Sequence, residues 1–307
     1  MPVEATLARP ATAQGAGLHS GAVARLRLLP APAGSGIQFR RTDLDGFVVE
    51  ARAANIAKVS YATSLMKKGV FISTTEHLLS ALVGTSIDNV VAEIDNLEVP
   101  ILDGSALPFV HMIEAARPKR QNRQRRVIEI VAPLELREGE KFIGVYPAAS
   151  YCLQYAINFP HPVIGRQTFA LELTPESYRK ELAPARTFGF LADFDAMRRQ
   201  GLIRGGRLDN AVVLDERRVV NGDLRFPDEF VRHKMLDLIG DLALLGAPLQ
   251  AEVVADRAGH ALHTALVQRL LAEKRHWRWR EAAAPVSVTD ATAAAAAPVY
   301  TDGAAIR

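Results

Sequence analysis

One pattern occurs twice in this chain: a histidine-bearing helix ends, a glycine follows, and an apolar strand begins. The two copies read LVGTSIDNVVAE over residues 82–93 and LLGAPLQAEVVA over residues 244–255. Each helix–strand unit has an apolar face to bury, and packing two units together buries both faces. The repetition therefore predicts two similar α+β halves that face each other. Chance similarity between two apolar segments is the alternative explanation.

The stretch at residues 226–245 has the pattern of one amphipathic helix. A proline and two acidic residues open it, as suits a first helical turn, and Gly246 suits the residue after a helix. His233 and Asp237 lie four residues apart, so they share one helical face with Asp241, a further turn along. An imidazole and a carboxylate at this spacing can bind a divalent metal ion. On this helix alone, a solvated face or a His–Asp hydrogen bond is the favoured interpretation.

The helix of the first half begins within STTEHLLSAL, residues 73–82. Ser73 or Thr74 is predicted to cap it, with Glu76 at capping-box spacing from Ser73. Glu76 and His77 are adjacent, so their side chains point about 100° apart and suit different tasks. His77 would bind the metal ion, while Glu76 would take a proton from the water that the ion activates. On this helix alone, a capping role for Glu76 and an ordinary helix-face position for His77 are favoured.

Taken together, the two helices offer a ligand set. His77, His233 and Asp237 supply two imidazoles and one carboxylate and leave a fourth tetrahedral position open, which is typical of catalytic zinc. His260 begins the last predicted helix after a glycine, where it could turn into the same cleft. A hydrogen bond from Asp241 would fix the tautomer of His260 and raise its pKa. That would favour an imidazolium that stabilises an oxyanion or protonates a leaving amine.

Length and composition indicate a globular protein with room for two cores: 307 residues, 49% apolar and 23% charged. The single cysteine, Cys152, excludes an internal disulfide and a cysteine-rich zinc site. A net charge of +3 is too small to indicate nucleic acid, so no nucleic-acid partner is expected. No stretch has the pattern of a signal peptide or a membrane span, so we expect a cytoplasmic protein without stable membrane insertion.

The predicted domain limits follow from a change in composition. An N-terminal α+β domain is predicted at residues 1–120 and a C-terminal α+β domain at residues 127–282. The segment RPKRQNRQRR, residues 117–126, carries six Lys or Arg and is predicted to be a solvated linker. Contact with anionic membrane lipid or with a phosphate-bearing substrate is the second interpretation. The Ala-rich residues 283–307 are predicted to be a disordered tail.

Periodicity and turn residues give a coarse secondary structure in which strands and helices follow each other in both halves. Strands separated by turns are predicted from residue 3 to about 60, among them residues 22–28 and 37–41. Further strands are predicted at residues 87–95, 127–136, 142–146, 151–158, 211–214 and 249–255. Helices are predicted from residue 73, at residues 106–116, from residue 174, and at residues 193–200, 226–245 and 260–275.

Five segments in order, STTEHLLSAL, ILDGSALPFV, ARTFGF, FVRHKMLDLIGD and GHAL, closely resemble the UDP-3-O-acyl-N-acetylglucosamine deacetylases, the zinc amidases of lipid A biosynthesis. The resemblance covers residues 3 to about 280. It implies a duplicated α+β fold: two similar two-layer α/β sandwich domains, each a layer of helices on a sheet, with the active site at the domain interface. It also implies one Zn²⁺ per chain, or Fe²⁺ in the cell, and hydrolysis of the substrate's N-acetyl amide to release acetate.

The resemblance also implies roles for individual residues. The metal ligands are His77, His233 and Asp237. Glu76 is the general base, His260 the charged partner or general acid, and Asp241 the residue that orients it. Lys234 holds charge near the amide, Thr187 bonds the oxyanion, and Phe188 contacts the sugar. Residues near the uridine diphosphate are Lys141, Phe159 and His161, and those lining the acyl-chain passage are Leu18, Leu191, Phe194, Ile203 and Val213.

Two positions depart from the family's pattern. Arg207 follows two glycines where a small polar residue is usual, so it could narrow or recharge the acyl exit. His263 follows the GHAL segment where Asn is common, which puts contacts with the diphosphate in doubt. A monomer that takes a UDP-linked acylated glucosamine is expected. The alternatives are a basic two-domain RNA-associated protein without enzymatic activity and a metal-dependent phosphoesterase.

Overall fold

The computed structural model of the protein describes residues 2–57, 61–199 and 201–282. In the first half (residues 2–124) the elements are β1 (Val3–Leu7), β2 (Ala11–Ala16), β3 (Val23–Pro30), β4 (Ile37–Arg41), β5 (Phe47–Glu50), β6 (Leu65–Lys67), β7 (Val70–Ile72), α1 (Glu76–Gly84), β8 (Val90–Ile94), α2 (Leu107–Ala116) and β9 (Pro118–Gln124).

The second half (residues 126–282) opens with the strands β10 (Arg126–Ile130), β11 (Leu134–Glu138), β12 (Lys141–Tyr146), β13 (Cys152–Phe159) and β14 (Gly165–Glu172). There follow α3 (Pro175–Ser177), β15 (Phe188–Phe190), α4 (Leu191–Arg199), β16 (Val212–Leu214), α5 (Glu229–Leu242), β17 (Leu249–Gln250), β18 (Glu252–Asp256), α6 (His260–Ala272) and β19 (Trp277–Glu281). Short turns of other helix types lie at Ala53–Asn55, Tyr178–Leu182, Ala243–Leu245 and Lys274–His276.

The main sheets of the two halves have the same topology in the described part of the chain. The first has the order β2-β3-β8-β4-β5 and the second the order β11-β12-β18-β13-β14. In each sheet the central strand is antiparallel to one neighbour and parallel to the other: β8 to β3 and β4, β18 to β12 and β13. The two strands of the repeated sequence pattern therefore occupy equivalent central positions. The predicted fold, a duplicated α+β architecture, is confirmed.

The strands form where the sequence alternates. In β3 the residues Ala24, Leu26 and Leu28 are buried, while the valine and arginines between them are exposed. This period of two is the pattern of a sheet with one face on the core. In β8, by contrast, Val90, Val91 and Ala92 are all buried, as expected for the central strand of the sheet.

The helices of the two halves meet across the molecule. In the second half, α5 and α6 lie on the sheet, while in the first half α2 lies beside β2 and α1, and α1 packs directly against α5. The closest approach is at Gly240, where an added Cβ would lie 2.1 Å from the carbonyl oxygen of Glu76. Since only glycine fits there, Gly240 sets how near the start of α1 comes to α5.

The predicted helix at residues 226–245 is present but shorter. It begins at Glu229, continues to Leu242, and gives way to the 3₁₀ turn Ala243–Leu245. Gly246 ends the segment in the left-handed conformation, with φ of 80°, as its sequence position predicted. No helix among the described residues is long and apolar enough to cross a membrane.

The capping prediction for α1 was wrong. The residue before α1 is Thr75, and no side-chain cap bonds its first turn. Ser73 instead pairs through its backbone with Leu97 and Val99, so it belongs to a short extended contact rather than to the helix start. Glu76 therefore does not have the capping role that the sequence of this helix alone favoured.

The basic segment 117–126, predicted to be a solvated linker, contains a strand. Residues 118–124 form β9, which pairs antiparallel with β1. Nearly all its side chains are exposed, so the strand carries no apolar alternation for sequence reasoning to detect. Strands β14 and β19 were also not predicted. The predicted tail, residues 283–307, lies outside the described residues, and the domain limits stay a prediction.

Candidate active site

Three predicted ligands converge where α1 crosses α5. His233 and Asp237 lie one turn apart on α5, and His77 comes from the first turn of α1. The Asp237 Oδ1 atom lies 3.3 Å from Nε2 of His233 and 3.5 Å from Nε2 of His77. The two imidazole rings are perpendicular with centroids 5.0 Å apart, and all three side chains are buried.

This cluster has the features of a metal site. Asp237 Oδ1 is buried and has no hydrogen-bond partner among the described residues. Its separations from the two imidazole nitrogens exceed ordinary hydrogen bonds. They match the separation of about 3.3–3.4 Å between ligand atoms that a tetrahedral zinc ion with bonds of about 2.0–2.1 Å would require. The three residues therefore fit a divalent metal ion.

Second contacts orient the ligands. His233 donates its Nδ1–H to the carbonyl oxygen of Ala185 at 3.1 Å, which leaves the Nε2 lone pair facing Asp237. Burial lowers the pKa of His233 to about 3, so the ring is neutral, as a ligand must be. Lys234 donates to the other Asp237 oxygen at 2.8 Å. Burial alone would lower the pKa of Lys234, but the Asp237 carboxylate outweighs burial and raises it.

Glu76 lies beside this cluster at the first residue of α1. Its carboxylate is 3% exposed and accepts one hydrogen bond, from the backbone N–H of Thr63 at 3.1 Å. Burial raises the pKa of Glu76 to about 7, and the nearby His260 and His77 oppose this rise. A carboxylate with a pKa near neutrality can both accept and release a proton, which is the requirement for a general base.

The start of α1 is held by contacts outside the helix. Thr74 has a φ of 57°, which is unfavourable for a β-branched residue, and its hydroxyl donates to Glu98 at 2.9 Å. Glu98 also accepts the backbone N–H groups of His19 and Ser20. Together with the close approach at Gly240, these bonds place the first turn of α1 against α5. A strained residue held in this way is common at functional sites.

His260, the first residue of α6, pairs with Asp241 as predicted from its position. The His260 Nδ1 lies 2.7 Å from Asp241 Oδ2, and its Nε2 lies 3.9 Å from Asp237 Oδ2. Burial disfavours the imidazolium, but the Asp241 carboxylate outweighs burial and raises the pKa of His260 to about 9. Thr63 donates its hydroxyl to Asp241 Oδ1. Near pH 7 His260 is therefore a cation within the site.

Thr63 was missed by sequence reasoning. It binds Glu76 through its backbone and Asp241 through its side chain, so it joins the predicted base of one half to the predicted orienting carboxylate of the other. Its segment has neither helical nor strand periodicity, and 178 residues separate it from Asp241. No pattern in the sequence marks such a contact.

His263, whose departure from Asn put contacts with the diphosphate in doubt, lies in the interior of the protein. It is fully buried, with Nδ1 2.8 Å from Asp241 Oδ2 and Nε2 3.0 Å from the hydroxyl of Tyr155. Arg207 is exposed, and its guanidinium pairs with Asp209 at 3.2 Å. Of the two residues that depart from the family's pattern, His263 thus lies in the protein interior, whereas Arg207 lies at the protein surface.

Aromatic side chains form a wall beside His233. Phe188 contacts the His233 ring, with centroids 6.4 Å apart, and packs edge-on against Phe230 at 5.0 Å and Phe159 at 5.7 Å. His161 lies 5.7 Å from the ring of Phe190, and its Nε2 donates to the carbonyl of Asp215 at 2.8 Å. The predicted sugar contact and two predicted nucleotide contacts, Phe188, Phe159 and His161, therefore belong to one surface.

Thr187 lies two residues beyond Ala185, the backbone partner of His233. Its N–H donates to Gly104 of the first half at 2.8 Å, and its carbonyl accepts from Val212 at 2.7 Å. The hydroxyl makes no hydrogen bond to any described residue and is half-buried. The backbone therefore fixes Thr187 between the halves, with its hydroxyl available to a ligand.

Two of the predicted acyl-passage residues, Leu18 and Ile203, lie at or beside one contact between the halves. The carbonyl of Leu18 accepts the N–H of Gly205 at 3.1 Å, and a Cβ at Gly205 would lie 2.1 Å from the Gly17 oxygen. Beside this contact, Ile203 is buried and Phe194 half-buried. The other two predicted residues differ in exposure: Leu191 is exposed at the start of α4, whereas Val213 is buried in β16.

Lys141 is the predicted substrate residue that stands apart. It lies where β12 begins, opposite Glu138 at the turn of the β11–β12 hairpin. Its ammonium is half-exposed and lies 3.7 Å from the Glu138 carboxylate. None of its contacts among the described residues joins it to the aromatic wall or to the ligand cluster.

Comparisons with known proteins agree with this architecture. Residues 4–272 match the family model of the UDP-3-O-acyl N-acetylglycosamine deacetylases. A UDP-3-O-acyl-N-acetylglucosamine deacetylase of Solibacter usitatus is 53% identical, over 89% of this chain and 92% of the relative. Proteins of the same name from Anaeromyxobacter and Xanthomonas campestris are 45% and 43% identical, covering 87% and 98% of this chain and 88% and 100% of their own lengths. The chain belongs to the UDP-3-O-acyl N-acetylglycosamine deacetylase family.

Proposed function

We propose that this protein hydrolyses the N-acetyl amide of UDP-3-O-acyl-N-acetylglucosamine with a bound metal ion, as the deacetylase of lipid A biosynthesis. The reaction follows from family membership. The observation that carries the residue assignments is the convergence of three ligand atoms from both halves, with Glu76 and His260 at their sides. A base with a pKa of about 7 and an acid with a pKa of about 9 flank one metal site.

His77, His233 and Asp237 would hold the ion, which we propose to be Zn²⁺, with Fe²⁺ as the alternative in the cell. Two imidazoles and one carboxylate suit zinc and leave a position for a reactant. When bound, zinc supplies Lewis-acid activation of a water molecule and of the amide carbonyl. Lys234 donates to Oδ2 of Asp237, the oxygen that faces away from the two imidazoles. Its positive charge helps to stabilise the negative charge that develops near the amide.

The protein's own groups move the protons. Glu76, as a carboxylate, takes a proton from the attacking water while the water oxygen forms a bond to the amide carbon. Thr187, through its hydroxyl, and His260, through its charge, stabilise the negative oxygen that develops. The C–N bond then breaks, His260 or protonated Glu76 gives a proton to the nitrogen, and acetate and a free amine leave. Asp241 keeps His260 charged for this step.

Surfaces around the site suit the parts of the substrate. The ring of Phe188 would contact the sugar, and Phe159 with His161 would lie near the uridine diphosphate. The apolar side chains of the predicted acyl-passage residues, which include Leu18 and Phe194, would receive the acyl chain. Lys141, on its hairpin, would contact the diphosphate. We further propose that the protein is a cytoplasmic monomer without a nucleic-acid partner.

The site favours this function over a two-metal phosphoesterase. A second group of possible ligands, Asp241, His260 and His263, lies near the first. Its nitrogen-to-oxygen separations of 2.7 and 2.8 Å are those of hydrogen bonds, so these atoms are already paired with each other. The residues therefore offer one ion site, whereas many phosphoesterases use two.

The test is acetate release from UDP-3-O-acyl-N-acetylglucosamine under single-turnover conditions. Protein treated with a chelator should be inactive, and one equivalent of Zn²⁺ should restore release; Fe²⁺ is tested in parallel. A Ca²⁺ addition serves as the control, since Ca²⁺ prefers oxygen ligands and a larger shell. Acetate release that persists at full rate in metal-free protein would refute the metal-dependent mechanism.

A further inference from the structure

Asp241 is shared by two histidines of α6. His260 and His263 lie three residues apart on one helical face, and each directs Nδ1 at the same oxygen, Asp241 Oδ2. The separations are 2.7 Å and 2.8 Å, and the rings lie 6.1 Å apart. His260 reaches the ligand cluster, whereas His263 is fully buried behind it.

The proton positions follow from the partners. A carboxylate only accepts hydrogen bonds, so His263 carries a proton on Nδ1. Burial lowers the pKa of His263, which makes the ring neutral and leaves Nε2 as an acceptor. Tyr155 lies 3.0 Å from this Nε2 and 2.8 Å from the carbonyl of Ala258. Burial raises the pKa of Tyr155, so its hydroxyl keeps its single proton, which it shares between the Ala258 carbonyl and His263 Nε2 in a bifurcated hydrogen bond.

We propose that His263 is a positioning residue for the reaction: held by Tyr155, it fixes the carboxylate of Asp241 and, through it, the imidazole of His260. The Asp241 carboxylate then has three donors, His260 and His263 on Oδ2 and Thr63 on Oδ1. Three donors hold the Asp241 carboxylate in a single orientation. Without His263 the carboxylate can rotate, and the ring that it orients loses its fixed direction.

The proposal rests on the proposed function, because His260 is the residue that benefits. It makes His263 necessary for turnover, although His263 is buried and touches neither substrate nor metal ligand. A purely structural role would instead predict that any side chain filling the same space supports full activity.

Leu and Asn at position 263 form a matched pair. They have nearly the same shape, but Asn keeps an N–H donor where the Nδ1 of His263 lies. His263→Leu should lower kcat about tenfold, while KM and metal content stay within about twofold. His263→Asn should retain kcat within about twofold. His263→Ala, which cannot overpack the site, should resemble the Leu variant, and His276→Leu, at a remote His–Glu pair, should change nothing.

Nuclear magnetic resonance of ¹⁵N-histidine-labelled holoprotein tests the geometry without turnover. His263 should be neutral with its proton on Nδ1, and His263→Leu should shift the His260 Nδ1–H resonance, whereas His263→Asn should not. An unchanged His260 resonance, or equal kcat values in the Leu and Asn variants, overturns the proposal. Wild-type protein that releases no acetate would instead refute the proposed function, while the resonances would still decide the role of His263.

Discussion

Helices α1 and α5 occupy equivalent places in two halves of the same topology, yet they carry the chemistry differently. On α5 the functional residues lie along one face of the helix body, at His233, Asp237 and Asp241. On α1 they lie at the very start, at Glu76 and His77. A helix face positions its residues by its own regular geometry, because side chains four apart always stack. A helix start has no such rule and depends on what holds its first turn.

That difference shows how the two halves divide the work. On the proposed assignments, α5 would be a preformed half of the metal site, whose geometry would survive small changes around it. α1 would bring the third ligand and the base, and their distance from α5 is fixed by Gly240, Thr74 and Thr63. We therefore expect metal binding to depend chiefly on α5, and the rate of the reaction to depend on how α1 is placed.

The largest effect is expected for the α5 face. His233→Ala removes one of the three ligands, so the protein should lose its metal and acetate release should fall at least about a thousandfold. Metal content by atomic absorption and acetate release measure the two effects together. His276→Ala, at a histidine of the same half bonded to Glu273, is the control and should keep both. Full metal content in His233→Ala would show that His233 on α5 is not a metal ligand.

The next effect concerns the base at the start of α1. Glu76→Gln keeps the shape of the side chain and an oxygen for the Thr63 N–H, but it cannot accept a proton. We expect normal metal content and a kcat lower by about 10²–10⁴-fold. Loss of metal in this variant would show that Glu76 is a ligand, and an unchanged kcat would show that another group is the base.

The same contrast explains what could be predicted from the sequence. His233, Asp237 and Asp241 could be placed on one face from their spacing, and the repeated pattern predicted the two strands that the structure shows at the centre of the sheets. Both rest on local periodicity. The start of α1 could not be derived, since a positive φ at Thr74 and a close backbone approach at Gly240 are tertiary features.

Two further features, the strand β9 and the position of His263, were not predicted for the same physical reason. The strand β9 has exposed side chains on both faces, so nothing in its sequence alternates, and pairing with β1 alone makes it a strand. The position of His263 was not predicted either, because resemblance to a family marked it only as a departure from Asn and does not show where its side chain points. Its burial follows from the helical spacing to His260, which points both rings at Asp241.

A substitution at the crossing of the helices should separate rate from metal binding. In Gly240→Ala the new methyl group would meet the Glu76 backbone at 2.1 Å, so the start of α1 must move away from α5. A displacement near 1 Å of a catalytic group costs about a hundredfold in rate. We expect a kcat lower by about that factor, with most of the metal retained on the α5 ligands.

Gly84→Ala is the matched control at the other end of α1. There the new methyl group would meet the ring of Tyr178 at 2.3 Å, which is a side chain of the second half rather than the backbone of the base. The melting temperature should fall, as in Gly240→Ala, while kcat per folded molecule stays near that of wild type. Equal losses of kcat in both variants would mean that α1 moves as a whole and that its start has no special position.

The smallest effect is expected in the pH profile of kcat/KM. Each half of the molecule should determine one limb of this profile, the acid side or the alkaline side. Glu76 must be unprotonated, so kcat/KM should fall about tenfold per pH unit below its pKa of about 7. His260 must be protonated, so kcat/KM should also fall above its pKa of about 9, which gives a maximum near pH 8. In Asp241→Asn the carboxylate that raises the pKa of His260 is gone, so the alkaline limb should move to lower pH. The acid limb belongs to α1 and should move much less than the alkaline limb in this variant, because burial rather than Asp241 is the main cause of the raised pKa of Glu76. If both limbs moved by the same amount, the base and the acid could not be assigned to separate halves.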